Sequence, residues 1–341
     1  MPTNPVMITR ARAQAQTPAW QQAWSGALRD PQQLLHRLGL DPALAAGATE
    51  AHGLFRLRVP ESYLARMRPG DPRDPLLLQV LPQAAEALEQ PGFVSDPVDD
   101  AAAMAAPGLL HKYRGRVLLI ATGACAIHCR YCFRREFPYG GAGALHDWEP
   151  ALDYIRGQRD VTEVILSGGD PLALGDHRLA ELLQRLERIP HLRRLRIHTR
   201  LPVVLPERVD DGLLSWLGHG RLQQVLVLHA NHPREFDPPA DLALARLRAS
   251  GVTLLNQSVL LAGVNDDLET LCALQERAFA AGILPYYLHL LDRVRGAAHF
   301  EVPESRARQL HAGLASRLPG YLVPRLVREV PGAAGKVPLG P

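Results

Sequence analysis

Lysine is almost missing from this sequence. The 341 residues include 38 lysines and arginines, and only Lys112 and Lys336 are lysine. A general preference for arginine explains most positions, because either side chain can carry the charge of a surface site. Arginine cannot form a Schiff base under working conditions, whereas a lysine amine can. The two remaining lysines are therefore candidates for a role that needs an amine.

Strong net charge and long apolar segments are also absent. The formal net charge of +3 is too small to indicate a nucleic-acid or membrane partner, and the four tryptophans show no pattern typical of base stacking. The longest apolar run, around "VLLIATGACAI", contains a glycine and is too short to span a bilayer. Residues 1–20 contain no apolar core of the signal-peptide type. We expect a cytoplasmic protein without a nucleic-acid or membrane partner.

Cysteines are few, but three of the four are crowded together. Cys125, Cys129 and Cys132 have the spacing C-x3-C-x2-C, which in a reducing compartment indicates metal binding rather than disulfides. Three thiolates can hold an iron–sulfur cubane and leave one iron open to a small molecule. The alternative is a zinc-binding interaction module with His128 as a fourth ligand, although no second C-x2-C pair is present. Cys272 has the apolar neighbours of a helix core.

Apolar runs and helical segments alternate from residue 117 onward. The runs are "VLLIAT" (117–122), "EVILSGG" (163–169), "RLRIHTR" (194–200), "QVLVLHA" (224–230), "VTLLNQSVL" (252–260) and "PYYLHLL" (285–291). Alternation of this kind predicts an α/β fold with a parallel sheet, and six units are too few for an eight-fold barrel. A partial barrel and a doubly wound sheet both remain open, and in either the ligands bind at the carboxyl ends of the strands. The first 95 residues predict helices and turns, with Asp-Pro pairs at helix starts.

Polar residues follow nearly every predicted strand. The cysteine motif follows the first run, "SGGD" ends the second, and "HTR", "HANH", "NQS" and "LLDR" mark the others. His198, His229 and His232 lie at such ends and either line a cavity or form structural hydrogen bonds. Lys336 lies in "PGAAGK", where small residues can press against a flat ring, and pyridoxal phosphate would need such an amine. The alternative is a solvated lysine in a frayed tail.

The cysteine spacing directly after a first strand resembles the radical S-adenosylmethionine superfamily. The whole chain resembles the lysine 2,3-aminomutase family within it, through "PGLLHKYRGRVLL", "CAIHCRYCFRREFPY", "SGGDPL", "GVTLLNQSVLLAGVND", "PYYLHLLDRVRGAAHF" and "GYLVPRLVREVPGAAGK". "LRVPESYLARMRPGDPRDPLLLQVL" is similar to the short branch of that family, which supplies β-lysine for modification of bacterial elongation factor P. The resemblance implies a radical S-adenosylmethionine partial (β/α)6 barrel over 106–300. A helical N-terminal region (1–105) would precede it, and a C-terminal helix with the lysine-bearing tail (301–341) would follow it.

The resemblance also implies cofactors, partners and residue roles. The cofactors are a 4Fe-4S cluster, S-adenosylmethionine and pyridoxal 5′-phosphate, and the partners are L-lysine, an electron donor, and functionally elongation factor P with its lysine ligase. The implied residues are Cys125, Cys129 and Cys132 for the cluster; Gly168, Gly169, Asp170 and Gln257 near S-adenosylmethionine; Lys336, Tyr113 and Arg116 for pyridoxal phosphate; and Arg134, Asp292 and Glu329 for the substrate. Whether the chain forms a homo-oligomer is left open.

Three features depart from the family pattern. Other interpretations of the residues and of the function also remain open. "GAAGK" replaces the usual glycine run, Lys112 replaces an arginine, and Glu329 stands where stand-alone enzymes have aspartate. Arg134 suits a substrate carboxylate, and Asp292 with Glu329 suits the far ammonium. The alternatives are structural roles for these charges, an aminomutase for glutamate or arginine, and a radical enzyme that modifies RNA or a peptide. The acids argue against glutamate.

Overall fold

The computed structural model describes residues 17–45, 48–139 and 147–340. Residues 1–16, where the sequence predicts no signal-like core, lie outside the described residues. No helix in the described part of the chain combines the length and hydropathy needed to cross a lipid bilayer.

One ten-stranded sheet organises the molecule, with strand order β1 to β10. The strands are β1 (Met104–Ala106), β2 (Leu109–Tyr113), β3 (Arg116–Thr122), β4 (Glu163–Gly168), β5 (Arg194–Thr199), β6 (Gln223–Leu228), β7 (Thr253–Val259), β8 (Leu284–His289), β9 (Arg325–Arg328) and β10 (Val337–Pro338). Strands β3 to β9 are parallel, while β1 and β2 at one edge and β10 at the other are antiparallel. The sheet therefore forms an open, partial barrel of the predicted α/β class.

All six predicted strands are present as β3 to β8. Val117 lies opposite Val164 and Ile197 opposite Leu226, and the register shifts once in the β3–β4 pair, between Ile120 and Thr122, and once in the β7–β8 pair, between Asn256 and Gln257. A seventh parallel strand, β9, was not predicted. Its four residues, "RLVR", place two buried apolar side chains between two arginines, and the strand is too short to give a clear periodic signal. It pairs with β8, so the C-terminal segment belongs to the same sheet.

Twelve helices accompany the sheet within the described residues. They are α1 (Ala19–Ser25), α2 (Pro31–Arg37), α3 (Thr49–Leu54), α4 (Glu61–Leu64), α5 (Pro75–Leu78), α6 (Glu149–Gly157), α7 (Asp176–Glu187), α8 (Leu201–Val204), α9 (Asp211–Leu214), α10 (Pro238–Ala249), α11 (Leu268–Ala280) and α12 (Glu304–Arg317). Helices α6 to α12 connect the parallel strands. Asp30, Asp74 and Asp237 cap α2, α5 and α10, each followed by proline at the first helical position; the sequence predicted such a start for α2.

The short N-terminal helices pack onto the outside of the barrel through polar anchors as well as apolar contacts. Arg66 donates from Nη1 to the carbonyl oxygens of Val203 (2.6 Å) and Glu235 (2.5 Å). Asp74 accepts a charge-assisted hydrogen bond from Arg234 at 2.6 Å. These bonds join the N-terminal region to the segments after β5 and β6, close to the carboxyl ends of the strands.

The C-terminal tail is paired rather than frayed. Val337 lies opposite Arg328, and the Leu339 amide donates to the Leu326 carbonyl oxygen at 2.9 Å. Lys336 directly precedes β10 and is thereby held against β9. The division of the chain at 105/106 and 300/301 remains a prediction; β1 runs across the first of these boundaries, and β9 of the third segment continues the sheet of the second.

Candidate functional site

A cavity of about 510 Å³ opens at the carboxyl ends of the parallel strands. Every site residue predicted from the sequence lines it: Cys125, Cys129, Cys132, Gly168, Gly169, Asp170, Gln257, Lys336, Tyr113, Arg116, Arg134, Asp292 and Glu329. These residues come from positions 113 to 336, and the parallel sheet is what gathers them. Most of them lie at the carboxyl edge, where such sheets bind ligands, whereas Tyr113 and Arg116 lie at the amino end of β3.

The three clustered cysteines lie on the loop that follows β3, and all are free thiols. Burial raises the pKa of the Cys125 thiol well above its usual value and that of Cys132 to about 11, so iron must displace protons when it binds. His128, the alternative zinc ligand, points elsewhere: its Nδ1 lies 2.8 Å from the Arg56 carbonyl oxygen. No three His, Cys, Asp or Glu groups in the described ranges are arranged around a single metal ion.

The donor set nevertheless fits a cubane cluster. A cubane takes one thiolate at each iron, so that its cysteines need not converge on one point. Cys125, Cys129 and Cys132 all face the cavity, and Tyr131 and Phe133 line it beside them, where they shield the thiols from water. Three thiols would hold three irons and leave the fourth facing the cavity.

The two glycines of "SGGD" are required by close backbone packing. Gly168 has φ +110°, and a Cβ there would lie 2.7 Å from the Thr122 carbonyl oxygen. A Cβ on Gly169 would lie 2.5 Å from the Ala124 carbonyl oxygen. The glycines therefore let the end of β4 lie directly on the start of the cysteine loop. Any side chain at 168 or 169 would push the two loops apart.

Asp170 positions this loop through hydrogen bonds from protein groups, and its role toward a cofactor stays a prediction. Oδ1 accepts from Leu172 N (3.1 Å) and Thr199 Oγ1 (2.7 Å), and Oδ2 accepts from the amides of Arg200 (2.7 Å) and Leu201 (3.1 Å). A carboxylate has about four lone-pair positions, and these bonds occupy them. The side chain ties "SGGD" to the end of β5 at the wall of the cavity.

At the other end of the cavity, Lys336, Glu329 and Tyr113 are joined by hydrogen bonds. Its Nζ donates to Glu329 Oε2 at 2.6 Å, and Tyr113 donates its hydroxyl to Glu329 Oε1. Burial opposes ionisation of Glu329, but the Lys336 ammonium and both hydrogen bonds hold the pKa of that carboxyl below its usual value. The longer side chain of glutamate allows one carboxylate to bridge both partners.

Arg116 lies where a phosphate could be bound beside Lys336. Its guanidinium stacks on the Tyr113 ring at 4.5 Å from the ring centre. A Cβ placed on Gly335 would come within 3.9 Å of Arg116 Nη2, which shows that the backbone before Lys336 passes this guanidinium. No carboxylate in the described residues pairs with Arg116. The amine, the ring face and the cation together suit a flat aldehyde cofactor that carries a phosphate.

Arg134 is fixed for recognition of a carboxylate. Nε donates to Asp100 Oδ2 at 2.7 Å and Nη1 donates to Ser167 Oγ at 3.0 Å, which leaves N–H groups for a ligand. Arg135 is the structural member of the pair, since it bonds the buried carboxylate of Glu86 at 2.7 Å and does not line the cavity. The structure thus places Arg134 at the cavity and its neighbour Arg135 away from it.

Asp292 is an unusual acid in this cavity. Burial raises its pKa to about 7; the Lys336 ammonium opposes this rise and the Glu329 carboxylate adds to it. No hydrogen bond to the Asp292 carboxylate comes from the described residues. An acid of this kind, next to a second acid, is suited to a cationic ligand group.

Buried polar atoms without partners mark the rest of the cavity wall. Gln257 Oε1, His198 Nε2, His229 Nε2 and both ring nitrogens of His289 have no hydrogen-bond partner within the described residues. Burial lowers the pKa of His229 to about 3 and that of His198 and His289 well below the usual value, so all three rings are neutral. Unpaired buried atoms of this kind indicate a ligand site. His289 was not predicted from the sequence as a site residue, although it too ends a strand.

The structure decides between the two roles left open for His232 and adds Asp100 to the residues that shape the site. His232 does not line the cavity, because its Nδ1 accepts from the Arg234 amide at 3.1 Å as a turn cap. Asp100 was not singled out from the sequence, yet it holds Arg134 and also pairs with Lys112 Nζ at 2.7 Å. Asp100 ends the segment "PVDD", which in the sequence looks like an ordinary acidic turn and so did not indicate a site residue.

Replacing Asp100 with asparagine is expected to lower the free energy of unfolding and to raise KM for the substrate. The side chain is 1% exposed, and its loss of charge would leave the buried Arg134 and the Lys112 ammonium without their anion. Breaking a buried ion pair costs about 3–5 kcal/mol. Chemical denaturation and steady-state kinetics measure the two effects. Asp99→Asn is the matched control, because Asp99 is exposed and its φ of 56° suits asparagine. Equal behaviour of both variants would refute this role.

Comparison with known proteins agrees with the site. The family described as "Radical SAM superfamily" matches residues 119–215, which hold the cysteine loop and the "SGGD" segment. L-lysine 2,3-aminomutase of Haemophilus influenzae is 49% identical over 93% of this chain and 94% of its own, and that of Escherichia coli is 48% identical over 94% of each. That of Clostridium subterminale is 37% identical over 86% of this chain and 71% of its own.

Among solved structures, SuiB of Streptococcus suis bound to S-adenosylmethionine has a TM-score of 0.49 at 15% identity. It covers 64% of this chain and 51% of its own. This similarity is too low to carry an argument.

The fold and the cysteine loop thus define a radical S-adenosylmethionine enzyme. Within that class, the chain belongs to the L-lysine 2,3-aminomutase family of isomerases. Membership confirms the cofactors predicted from the sequence: a 4Fe-4S cluster, S-adenosylmethionine and pyridoxal 5′-phosphate. The roles of individual residues toward these groups remain proposals.

Proposed function

We propose that this protein moves the amino group of L-lysine from carbon 2 to carbon 3 and so forms β-lysine. The observation that carries the proposal is the distribution of charge in one cavity. Arg134 presents a cation for the carboxylate, and Asp292 with Glu329 presents acids for an ammonium group. The cysteine loop and Lys336 line the same space, so both cofactors would meet the substrate there.

The protein itself contributes positioning and exclusion of water. When bound, the cluster with S-adenosylmethionine supplies a radical that can remove hydrogen from an unactivated carbon, and pyridoxal phosphate supplies the conjugated system through which nitrogen migrates. Arg134 would fix the carboxylate end, because its Nε and Nη1 are already held by Asp100 and Ser167. The buried cavity wall would keep water from a reactive radical.

The pairing of Glu329 with Lys336 supports a role in binding a primary ammonium. In this structure its partner is Lys336 Nζ at 2.6 Å, a group chemically identical to the side-chain end of free lysine. We infer that Glu329 releases Lys336 when that amine binds its cofactor and then accepts the ammonium of the substrate, together with Asp292. A guanidinium would need a wider, planar pairing with these acids, and a substrate carboxylate would be repelled.

The proposal is tested by an anaerobic assay of protein with reconstituted cluster, pyridoxal phosphate, S-adenosylmethionine and dithionite. L-Lysine, L-arginine and L-glutamate are supplied separately and the products are resolved by chromatography. Formation of β-lysine, with little turnover of the other two, is expected. Cleavage of S-adenosylmethionine without formation of β-lysine would support the radical chemistry but refute the assignment of L-lysine as the substrate. Turnover on an RNA or a peptide would favour that alternative.

The activity is expected to rise with pH around neutrality. Asp292 has a pKa of about 7, and only its ionised form pairs with an ammonium group. Since the ionised fraction grows about tenfold between pH 6 and 8, kcat/KM for lysine should rise by roughly that factor. The same proton makes the free protein less stable as the pH rises from about 4 to 7, because the folded state holds it and the unfolded state does not.

The matched comparison for this pH dependence is Asp292→Asn. Its kcat/KM should be low and should lack the rise between pH 6 and 8, because asparagine does not titrate. A wild-type profile with the same shape as that of Asp292→Asn would assign the pH dependence to another group.

We further propose that the β-lysine serves the modification of elongation factor P in the cytoplasm. Support comes from the resemblance of residues 57–81 to the short branch of the family and from the identity of 48–49% to relatives of matching length. Co-expression with elongation factor P and its lysine ligase, followed by intact-mass measurement, tests this role. A factor that gains the mass of β-lysine only when this chain is active is expected. Unchanged factor in the presence of accumulated β-lysine would refute it.

A further inference from the structure

Arg200 makes a hydrogen bond to one of the three cluster cysteines. It follows β5 directly, and its Nη1 donates to Cys129 Sγ at 2.8 Å. Cys125 and Cys132 receive no comparable bond from a cationic side chain within the described residues. The guanidinium therefore introduces a positive charge on one side of the proposed cluster.

The position of Arg200 is determined by buried groups. Nη2 donates to Glu235 Oε2 and to Gln79 Oε1, each at 2.8 Å, and lies 3.3 Å from the Tyr63 hydroxyl oxygen. The side chain of Arg200 is 7% exposed and that of Glu235 is 0% exposed. These contacts keep Nη1 directed at the sulfur.

The backbone at Arg200 is held as well. Its amide donates to Asp170 Oδ2 at 2.7 Å, and Asp170 belongs to the "SGGD" loop that packs on the start of the cysteine loop. The guanidinium, the "SGGD" loop and the cysteine loop thus form one interlocked unit. A purely structural arginine in this network would need no donor on the sulfur.

We propose that Arg200 tunes the reduction potential of the cluster held by Cys125, Cys129 and Cys132. Reduction passes one electron from an external one-electron donor to the cluster, and no bond forms or breaks. The added negative charge is stabilised by a cation and by a hydrogen bond at a ligand sulfur, and both raise the potential. Arg200 thereby makes the cluster easier to reduce before S-adenosylmethionine is cleaved. The inference rests on the proposed cluster.

Potentiometric titration followed by electron paramagnetic resonance tests the proposal without substrate. Dithionite is the reductant, and the samples are reconstituted wild type, Arg200→Gln and Arg200→Lys. In Arg200→Gln, the ratio of reduced to oxidised cluster at a fixed potential should fall about tenfold, a shift of about 59 mV to more negative potential for a one-electron couple. Arg200→Lys keeps the charge and should shift less.

Arg208→Gln is the matched control. Arg208 is also fully buried and paired, to Asp176 at 2.7 Å, but it does not line the cavity and should leave the potential unchanged. A wild-type potential in cluster-containing Arg200→Gln would overturn the proposal. If that variant loses its cluster, Arg200→Met decides, because it also removes the charge and the donor to Cys129 Sγ, and an unshifted potential there overturns the proposal equally. Wild-type protein without a cluster signal would instead overturn the cluster itself.

Discussion

Cys129→Ala protein is expected to lose both its cluster and all production of β-lysine. Each of the three cysteines would ligate one iron of the cubane, and with only two thiolates a second iron is left without a protein ligand. Without electron transfer from the cluster, S-adenosylmethionine is not cleaved and no hydrogen can be removed from an unactivated carbon. Iron and sulfide content after anaerobic reconstitution and release of 5′-deoxyadenosine measure the loss.

The fourth cysteine provides the control for this experiment. Cys272 lies on α11, is 7% exposed and packs in an apolar cluster with residues such as Leu288 and Leu326. It does not line the cavity. Cys272→Ala should keep the iron content and the activity of the wild type, with at most a modest loss of stability from the removed thiol. A cluster that survives in Cys129→Ala, or disappears in Cys272→Ala, would place the ligands elsewhere.

The fold could be predicted from local patterns wherever those patterns were long. Each of β3 to β8 carries a run or an alternation of apolar residues between helical segments, as in "VLLIA" of β3 and "RLRI" of β5, and the helix behind Asp30 starts at Asp-Pro. β9 and β10 were not predicted, because strands of four and two residues are too short to show a periodic pattern. Their pairing depends on β8, which is supplied by the tertiary structure.

The site could be predicted in its chemistry, but its contacts could not. Cysteine spacing and the scarcity of lysine identified Cys129 and Lys336 because those residue types are chemically distinctive. The bonds from Arg200 to Cys129 and from Arg134 to Asp100 join common residue types 71 and 34 positions apart. No local pattern encodes them, because only the closure of the sheet brings the partners together.

Asp170 shows why a motif and its role must be separated. The sequence identified "SGGD" correctly as part of the cavity, but a motif does not show which of its atoms face a ligand. The four donors to Asp170 come from its own loop and from the end of β5. The acid therefore acts on the site through backbone geometry, and the same geometry places Arg200.

Lys336→Arg is expected to abolish β-lysine formation and covalent attachment of pyridoxal phosphate. Arginine keeps the positive charge beside Glu329 but offers no nucleophilic amine. The absorbance of the bound cofactor and its reductive trapping with borohydride should both disappear, while the cluster in the cysteine loop should remain. Cleavage of S-adenosylmethionine separates the two effects, since it depends on the cluster and not on the amine.

Because lysine is scarce, the assignment of Lys336 as the pyridoxal phosphate lysine can be tested against few competing amines. The described protein offers only Lys112 as a competing amine, and Lys112 pairs with Asp100 at 2.7 Å. Borohydride trapping in Lys112→Arg should therefore label residue 336 as strongly as in the wild type, although the substrate end of the site is altered. Label on residue 112 in either protein would refute the assignment. Label on residue 336 alone would explain why lysine is retained there in a sequence that uses arginine at nearly all other basic positions. β10 holds Lys336 against β9, within reach of Glu329 and beside Arg116. A guanidinium at this position could not form a Schiff base with the cofactor.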